Sequence, residues 1–482
     1  MNQQLTPRDL NRKAFISGMF FVIVQLLVRG LTFLTTPLYT RLVSTAQFGE
    51  LRVYESWLLI LVPILSLTMY KSVNRAKFDF DKEYEAYISS VQGLSYIVTA
   101  GCFILITLFF RKPFMDFCRL DLLMYITMFL YIFADVSLLY YQGRERQMLR
   151  YKRSVIVTAC VMVPATVLSI VLLYIGNKNG MQNELVDLRV IGYYWPQIIG
   201  GLIVAGILFF QGRFTIRVSH WKYALLFSLP LIPEALSIQI MNQSDKIMIQ
   251  KMIGDDYTGI FSLATTVSFI IWIILDAVWS AWLPWLYEKL DRNEIEDIRK
   301  PWEQIVFFFA FFSWVLVVLA PEIIALLGGA RYKEAIYLVA PMVSGVLFRF
   351  FSYSFTAVEN YRKKTKYTGL GTVIAMILNV ILNAVFIYYF GYQAAAYTTA
   401  FSYLILMLLQ GFFEMKICGM RCISLKWMFL VSLLIWLVNE ASMLLHKSTP
   451  IRWGVFLAAF SLAAWKLFPM AKDFLGKIRK TG

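Results

Sequence analysis

The sequence predicts an all-α integral membrane protein with about fourteen transmembrane helices, arranged as two pseudo-symmetric six-helix bundles followed by two further helices. Of the 482 residues, 59% are apolar and only 16% charged, and the mean hydropathy is +0.63, whereas soluble chains carry more charge. Apolar runs of roughly 20 residues recur along the whole chain. In addition, connections rich in lysine and arginine alternate with connections that are poor in them. A short sequence pattern at the end of the first apolar run also recurs at the end of the seventh.

The spans are defined as apolar windows between clusters of charged residues. They are expected at 14–40, 50–70, 88–110, 120–141, 154–176, 190–210, 223–241, 258–282, 303–327, 334–358, 368–390, 392–415, 426–445 and 452–469. The first window is longer than the apolar core of a secretory signal, about 7–15 residues, so we expect it to remain as a span. The least marked break is at Gly391, where a two-residue turn must separate two helices without any charge.

The distribution of lysine and arginine predicts the topology. With the N-terminus inside, the inner segments hold 31 of the 46 cations and the outer segments 13, the other two being Arg29 and Arg349 within spans. This excess predicts an even number of spans with both termini cytoplasmic. The net charge of +16 is therefore explained by topology and lipid phosphates rather than by nucleic acid.

An internal repeat relates the first span to the seventh. Residues 39–49 and 249–259 share a cation, an apolar pair, a polar stretch and a glycine eight residues after the cation. Both segments follow a span that runs outward, so two parallel halves are expected, related by an axis along the membrane normal. The expected divisions are 1–213, 214–418, and 419–482 with the basic tail. Chance similarity between two outer loops is the alternative.

One polar stripe lies on the first span, around an arginine that lipid would not tolerate. Gln25, Arg29, Thr32 and Thr36 follow helical spacing and share one face. We expect them to line a cationic cavity that binds substrate. The alternative is an arginine that reaches the interface or pairs with a buried carboxylate.

The tenth span carries the counterpart of this stripe. Arg349 shares a helical face with Ser352, Tyr353 and Thr356. One arginine from each half would form a cationic vestibule between the halves, with Tyr353 among the substrate-binding residues. Arg349 lies nearer the inner end, so the interfacial alternative weighs more heavily for it.

Four carboxylates inside spans are candidates for coupling transport to H⁺ or Na⁺: Glu55, Asp135, Glu234 and Asp276. Glu234 is the strongest, because Pro230 and Pro233 break the helix nearby and free backbone carbonyls. Neutralisation of an arginine is the alternative role. Asp276, between Trp272 and Trp279, could instead help to seat a sugar ring.

No cofactor and no metal are expected. The sequence has two histidines and five scattered cysteines, too few for a histidine-based site, and it lacks the glycine-rich phosphate loop of ATP-driven proteins. Transport would therefore be driven by an ion gradient or by the gradient of the substrate.

Residues 36–49 and 244–262 give the chain a resemblance to the polysaccharide biosynthesis flippases of the multidrug/oligosaccharidyl-lipid/polysaccharide exporter superfamily. The resemblance implies a V-shaped, MATE-like pair of bundles in a bacterial inner membrane. These would move a polyprenyl-diphosphate-linked O-antigen, capsule or exopolysaccharide unit outward. The implied partners are this glycan lipid, membrane lipids, a coupling H⁺ or Na⁺, and glycan-assembly proteins such as a polymerase.

Three alternatives stay open at this point. An ion-coupled drug exporter would prefer an anionic cavity, and a lipid II flippase would share the expected fourteen spans. A membrane-embedded glycan polymerase or ligase would need a sizeable outer loop with catalytic groups, and no connection between the predicted spans exceeds about twenty residues. The chain is therefore not expected to be an enzyme.

Overall fold

The computed structural model describes residues 30–31, 33–420 and 422–462, and this part of the chain is almost entirely helical, with no strand. The helices are α1 (33–42), α2 (Thr45–Leu65), α3 (Val73–Asp79), α4 (Tyr84–Leu105), α5 (Arg111–Cys118), α6 (Leu122–Gln147), α7 (Tyr151–Lys178), α8 (Leu185–Gln211), α9 (Val218–Ser228), α10 (Ile232–Met252), α11 (Asp255–Asp291), α12 (Glu296–Val318), α13 (Ala320–Leu327), α14 (Ile336–Tyr361), α15 (Thr365–Phe390), α16 (Ala394–Phe413), α17 (Leu425–Ser442) and α18 (449–462).

Eleven helices of the described chain are long and apolar enough to cross a membrane, or twelve if the pair Thr45–Leu65 and Met69–Asp79, bent by 59°, forms one span. These correspond to the twelve windows predicted between 50 and 445. The windows 14–40 and 452–469 lie partly outside the described residues. The all-α membrane fold is thus confirmed, whereas the count of fourteen spans is not.

Two predicted helix breaks occur where the sequence places them. α15 ends at Phe390, and Gly391 takes a left-handed backbone conformation with φ of +79° before α16 begins. A residue without Cβ adopts this conformation at little cost. The seventh span breaks at Leu229–Leu231, which separates α9 from α10 at the predicted proline-rich position.

The buried side chains form two hydrophobic cores. The first lies between Leu51 and Ala224 in the sequence. The second consists mainly of residues between Met241 and Ile435, and a few residues of the first half, such as Phe48, join it. The division at 213/214 stays a prediction.

α9 follows residue 213 in the sequence but packs against the first half. Its buried His220 contacts the rings of Phe80 and Tyr87, and Trp221 Nε1 donates a hydrogen bond to the Ser90 carbonyl at 2.8 Å. α10 packs both against α15 of the second half and against α2 of the first. The seventh span therefore joins the two cores.

The repeat found in the sequence appears as a reciprocal contact between α2 and α11. A Cβ on Gly49 would lie 2.0 Å from the Asp255 carbonyl oxygen, and one on Gly259 would lie 2.2 Å from that of Thr45. Each glycine thus contacts the residue four positions before the other. Such an exchange is what a local two-fold axis produces, and we refer to this end of the bundle as the glycine end.

Several further contacts join the halves near the glycine end. Arg119 forms an ion pair with Asp255 at 3.6 Å, and Arg331 donates a hydrogen bond to the Thr40 carbonyl at 3.2 Å. The Phe48 ring meets Tyr332 edge-on. Further along the same helices, Ser56 Oγ of α2 donates a hydrogen bond to Gln243 Oε1 of α10 at 3.0 Å. In this conformation the described halves are therefore in contact at the glycine end and along α2 and α10.

Candidate functional site

A cavity of about 360 Å³ lies in the first half, bordered by α1, α2, α6, α7, α8 and α10. Its charged lining consists of Arg52, Glu55, Asp135 and Arg189. Arg52 Nη1 lies 2.8 Å from Glu55 Oε2, an i,i+3 pair on one face of α2. Arg189 Nη2 lies 3.9 Å from the other Glu55 oxygen, so Glu55 is shared by two arginines.

Arg189 is held mainly by aromatic rings. Its guanidinium carbon lies 4.4 Å from the centre of the Tyr39 ring and 4.0 Å from that of Tyr193. Among the described residues, its buried Nη1 has no hydrogen-bond partner. A planar guanidinium with a free donor is well suited to bind a phosphate oxygen.

A second cavity, of about 220 Å³, lies between the halves and shares Arg52 and Glu55 with the first. On the opposite wall, Lys246 Nζ donates to Gln243 Oε1 at 2.9 Å, and the same oxygen accepts from Ser56 Oγ at 3.0 Å. Two cations, Arg52 and Lys246, and one carboxylate, Glu55, thus face this cavity between the halves.

Arg349 separates two cavities of the second half, of about 80 and 260 Å³. Its Nη1 donates to Asn242 Oδ1 at 2.7 Å, and its guanidinium carbon lies 4.6 Å from the Trp272 ring centre. Among the described residues it forms no ion pair with a carboxylate. Tyr353 lines the larger cavity and contacts the rings of Trp272 and Trp279.

The structure brings together only part of the predicted substrate site. Ser352 and Thr356 line the 260 Å³ cavity beside Arg349 and Tyr353, as their shared face implies. Gln25, Arg29 and Thr32 lie outside the described residues. Thr36 is buried, with 0% exposure, and its role in substrate binding stays a prediction.

The four predicted coupling carboxylates occupy different surroundings. Glu55 pairs with two arginines, so its contacts fit the alternative role of neutralisation. Asp135 faces the first cavity, with the Tyr131 hydroxyl 3.4 Å away. Glu234 lines the cavity beside Arg349, and Asp276 is half-buried on α11.

Asp245 is a buried carboxylate that the sequence reading missed. It accepts hydrogen bonds from the Asn383 amide and from Thr399 Oγ1, the latter at 2.8 Å. Asn379 Nδ2 in turn donates to Thr399 Oγ1 at 2.9 Å. Asn379 and Asn383 therefore bond to neighbouring helices, as expected for amides in a span.

Arg52, Arg189 and Lys246 were also missed, because the sequence reading assigned them to outer connections. The helices extend further than the apolar windows: α8 begins at Leu185, and α10 continues to Met252. The i,i+3 spacing of Arg52 and Glu55 was the available signal, since it places opposite charges on one helical face.

Comparisons with known proteins agree with this architecture. A family model described as "Polysaccharide biosynthesis protein" matches residues 17–290. The "Lsg locus putative protein 1" of Haemophilus influenzae is 21% identical over 387 residues, which cover 76% of this chain and 90% of that protein.

Solved structures of low sequence identity share the fold. An inward-facing multidrug resistance MATE family transporter of the MOP superfamily has a TM-score of 0.61 at 14% identity, covering 84% of this chain and 99% of that one. The lipid II flippase MurJ, in an inward closed conformation, also has a TM-score of 0.61, at 15% identity, covering 89% and 99%. Because the family model covers more than half of the chain, this protein belongs to the family of polysaccharide biosynthesis proteins, and its membrane fold is that of the MATE transporters and MurJ.

Proposed function

We propose that the protein is a flippase that moves a polyprenyl-diphosphate-linked oligosaccharide from the inner to the outer leaflet of a bacterial cytoplasmic membrane. The observation that carries this proposal is the set of three cations that line the first two cavities, Arg52, Arg189 and Lys246, against two carboxylates, Glu55 and Asp135. This surplus of positive charge attracts the negative charge of a diphosphate headgroup.

The remaining parts of such a cargo also find suitable surroundings. Tyr131, Tyr193 and Tyr194 line the first cavity and offer ring faces and hydroxyls to a glycan. The prenyl tail can stay in lipid while the headgroup occupies the cavity. A cationic drug would instead meet repulsion from the same arginines, which disfavours the drug-exporter alternative.

Alternating access supplies the movement in this proposal. The lysine and arginine distribution puts the glycine end on the outer side of the membrane. The conformation described here would then be closed outward, and separation of Gly49 from Gly259 would release the cargo to the outer leaflet.

Ion coupling, expected from the sequence at Glu55, Asp135, Glu234 or Asp276, would instead centre on Asp245. Its two carboxylate oxygens lie among the side-chain oxygens of Asn379, Asn383, Thr398 and Thr399, joined to one another by hydrogen bonds. Such oxygen-rich surroundings suit Na⁺ or H⁺. Lys246, the next residue, lines the space between the halves, so occupancy of this site would affect the helix that faces the cargo.

The experiment is to delete the gene and complement it with wild type, Arg189→Ala or Lys178→Ala. Lys178, an exposed cation near the glycine end, serves as the matched control. We expect complete lipid-linked repeat units to accumulate on the inner leaflet in the deletion strain and with Arg189→Ala, and surface glycan to return with the control. Normal surface glycan with Arg189→Ala at wild-type membrane levels would refute the assigned role. Unchanged lipid intermediates in the deletion strain would contradict the flippase itself.

A further inference from the structure

Two carboxylic side chains are buried in the second half, at the end opposite the glycine end. Glu359 lies two residues before the end of α14 and is 0% exposed, and Glu414 directly follows α16 and is 1% exposed. Segment Glu414–Cys418 forms a wide π-type turn that packs against α14. Neither carboxylate belongs to the cation-lined cavities described above.

Each carboxylate has a hydrogen bond on one oxygen only. The Thr368 hydroxyl donates to Glu359 Oε2, and the Cys422 backbone N–H donates to Glu414 Oε1 at 3.1 Å. Glu359 Oε1 and Glu414 Oε2 are buried and have no partner among residues 33–420 and 422–462. Arg362, one turn after Glu359, points its Nε at the Met420 sulfur, 3.1 Å away. No ion pair within the described residues involves either glutamate.

A third unpartnered acceptor lies next to the pair. Gln410, 0% exposed, donates through Nε2 to the Thr368 carbonyl at 3.1 Å, so its amide orientation is fixed, and its buried Oε1 accepts no hydrogen bond. Thr368 therefore links Gln410 to Glu359. All three unpartnered atoms are acceptors, so what the cluster lacks is positive charge or a donor.

Burial of two unpaired carboxylates costs several kcal/mol or more, which proteins avoid by neutralising the groups. We propose that Glu359 and Glu414 form a binding site for a monovalent cation, occupied by a proton in this conformation, with Gln410 and Thr368 as positioning residues. Binding converts a carboxylate and a proton into a neutral carboxylic acid. The site differs from the one assigned to Asp245 and requires no particular cargo.

The site adjoins a cavity from which a proton could enter. Asn360, Thr368 and Gln410 line the 260 Å³ cavity that also contains Glu234 and Arg349. Release of the proton would leave charge between α14, α15 and α16, the helices that hold Arg349 and the partners of Asp245. The binding state of the pair would therefore affect the packing of the second half.

The test is infrared spectroscopy of the reconstituted protein in Na⁺-free buffer, titrated with pH. Charged and titratable groups near the pair are Arg362, Lys364, Cys418 and Cys422, so bands are assigned by substitution. Wild type should show the carbonyl stretch of a buried protonated carboxyl at neutral pH. This signal should be lost in the double variant Glu359→Gln/Glu414→Gln and kept in Glu288→Gln, an exposed glutamate paired with Arg292.

Each outcome decides the proposal. If NaCl, but not choline chloride, removes the band, Na⁺ competes with the proton at the same pair. If the double variant has the wild-type carboxyl spectrum at every pH, and NaCl changes neither the wild-type spectrum nor that of the variant, the pair binds no cation and the proposal is overturned.

Because glutamine could impair folding, thermal unfolding is measured in parallel. A deprotonated pair destabilises the fold, so wild type should lose stability as pH rises and the double variant should lose less. No transport is measured, so failure here leaves the proposed flippase activity standing.

Discussion

Replacement of Gly49 by alanine should open the glycine end. A Cβ at this position would lie 2.0 Å from the Asp255 carbonyl oxygen, where 3.4–4 Å is an ordinary contact, so α2 and α11 have to separate. Both partners are backbone atoms of long helices and cannot move aside as a flexible side chain would. Overpacking of this kind costs about 1–3 kcal/mol. If the strain exists only when the end is closed, the population shifts about 5- to 150-fold toward open conformations.

The native Cys118 provides the assay. It is buried, next to Arg119, which pairs with Asp255 across the closed end. With the other cysteines replaced by serine, a membrane-impermeant maleimide should label Cys118 faster in Gly49→Ala, and also in Gly259→Ala, by up to the same factor. Gly206→Ala is the matched control, because nothing lies within 4 Å of its added Cβ. Wild-type labelling rates in both variants, with folding intact, would contradict the argument that this contact holds the end closed.

Two further predictions concern the second half. NaCl should raise the melting temperature of wild type above its value in choline chloride, a stabilisation of about 2.7 kcal/mol at a Na⁺ concentration of a hundred times the dissociation constant. Asp245→Asn should abolish this rise, whereas Asp291→Asn, at an exposed site, should keep it. An equal rise in both variants would exclude Asp245 as the Na⁺ site. Asn439→Ala should destabilise the protein by about 0.6–1.7 kcal/mol per lost bond, because Asn439 Nδ2 donates to Ser344 Oγ at 3.0 Å and Ser313 Oγ at 3.3 Å and so ties α17 to α14 and α12. Thermal unfolding in detergent measures this effect, and an unchanged melting temperature would show that these bonds add nothing.

The helical membrane architecture was accessible from the sequence because hydrocarbon imposes length and polarity on every span. Even the break at Gly391, with no charge to mark it, was predicted from turn chemistry. The repeat was accessible as well, since a glycine at equal spacing from a cation records close helix packing. The reciprocal contact of Gly49 and Gly259 supplies the physical reason for that pattern.

The candidate site was harder to predict, because hydropathy cannot distinguish a charge at the membrane surface from one in a cavity. Arg189 and Lys246 lie near the ends of apolar windows and were therefore attributed to connections. Their positions depend on how α8 packs within the first half and α10 against α2, which is tertiary information. Arg349 was identified only because it interrupts an apolar window, and its lack of a carboxylate partner became visible only in three dimensions.

The break between α9 and α10 in the seventh span is where the backbone would bend if the two halves move against each other during transport. α9 is attached to the first half and α10 packs between α2 of the first half and α15 of the second, so a rotation of the second half together with α10 would twist the chain at Leu229–Leu231. Pro230 in this segment and Pro233 in the first turn of α10 each fix their own φ angle, which restricts the bending there. This short segment would then act as a mechanical stop that limits how far the protein can swing in each cycle.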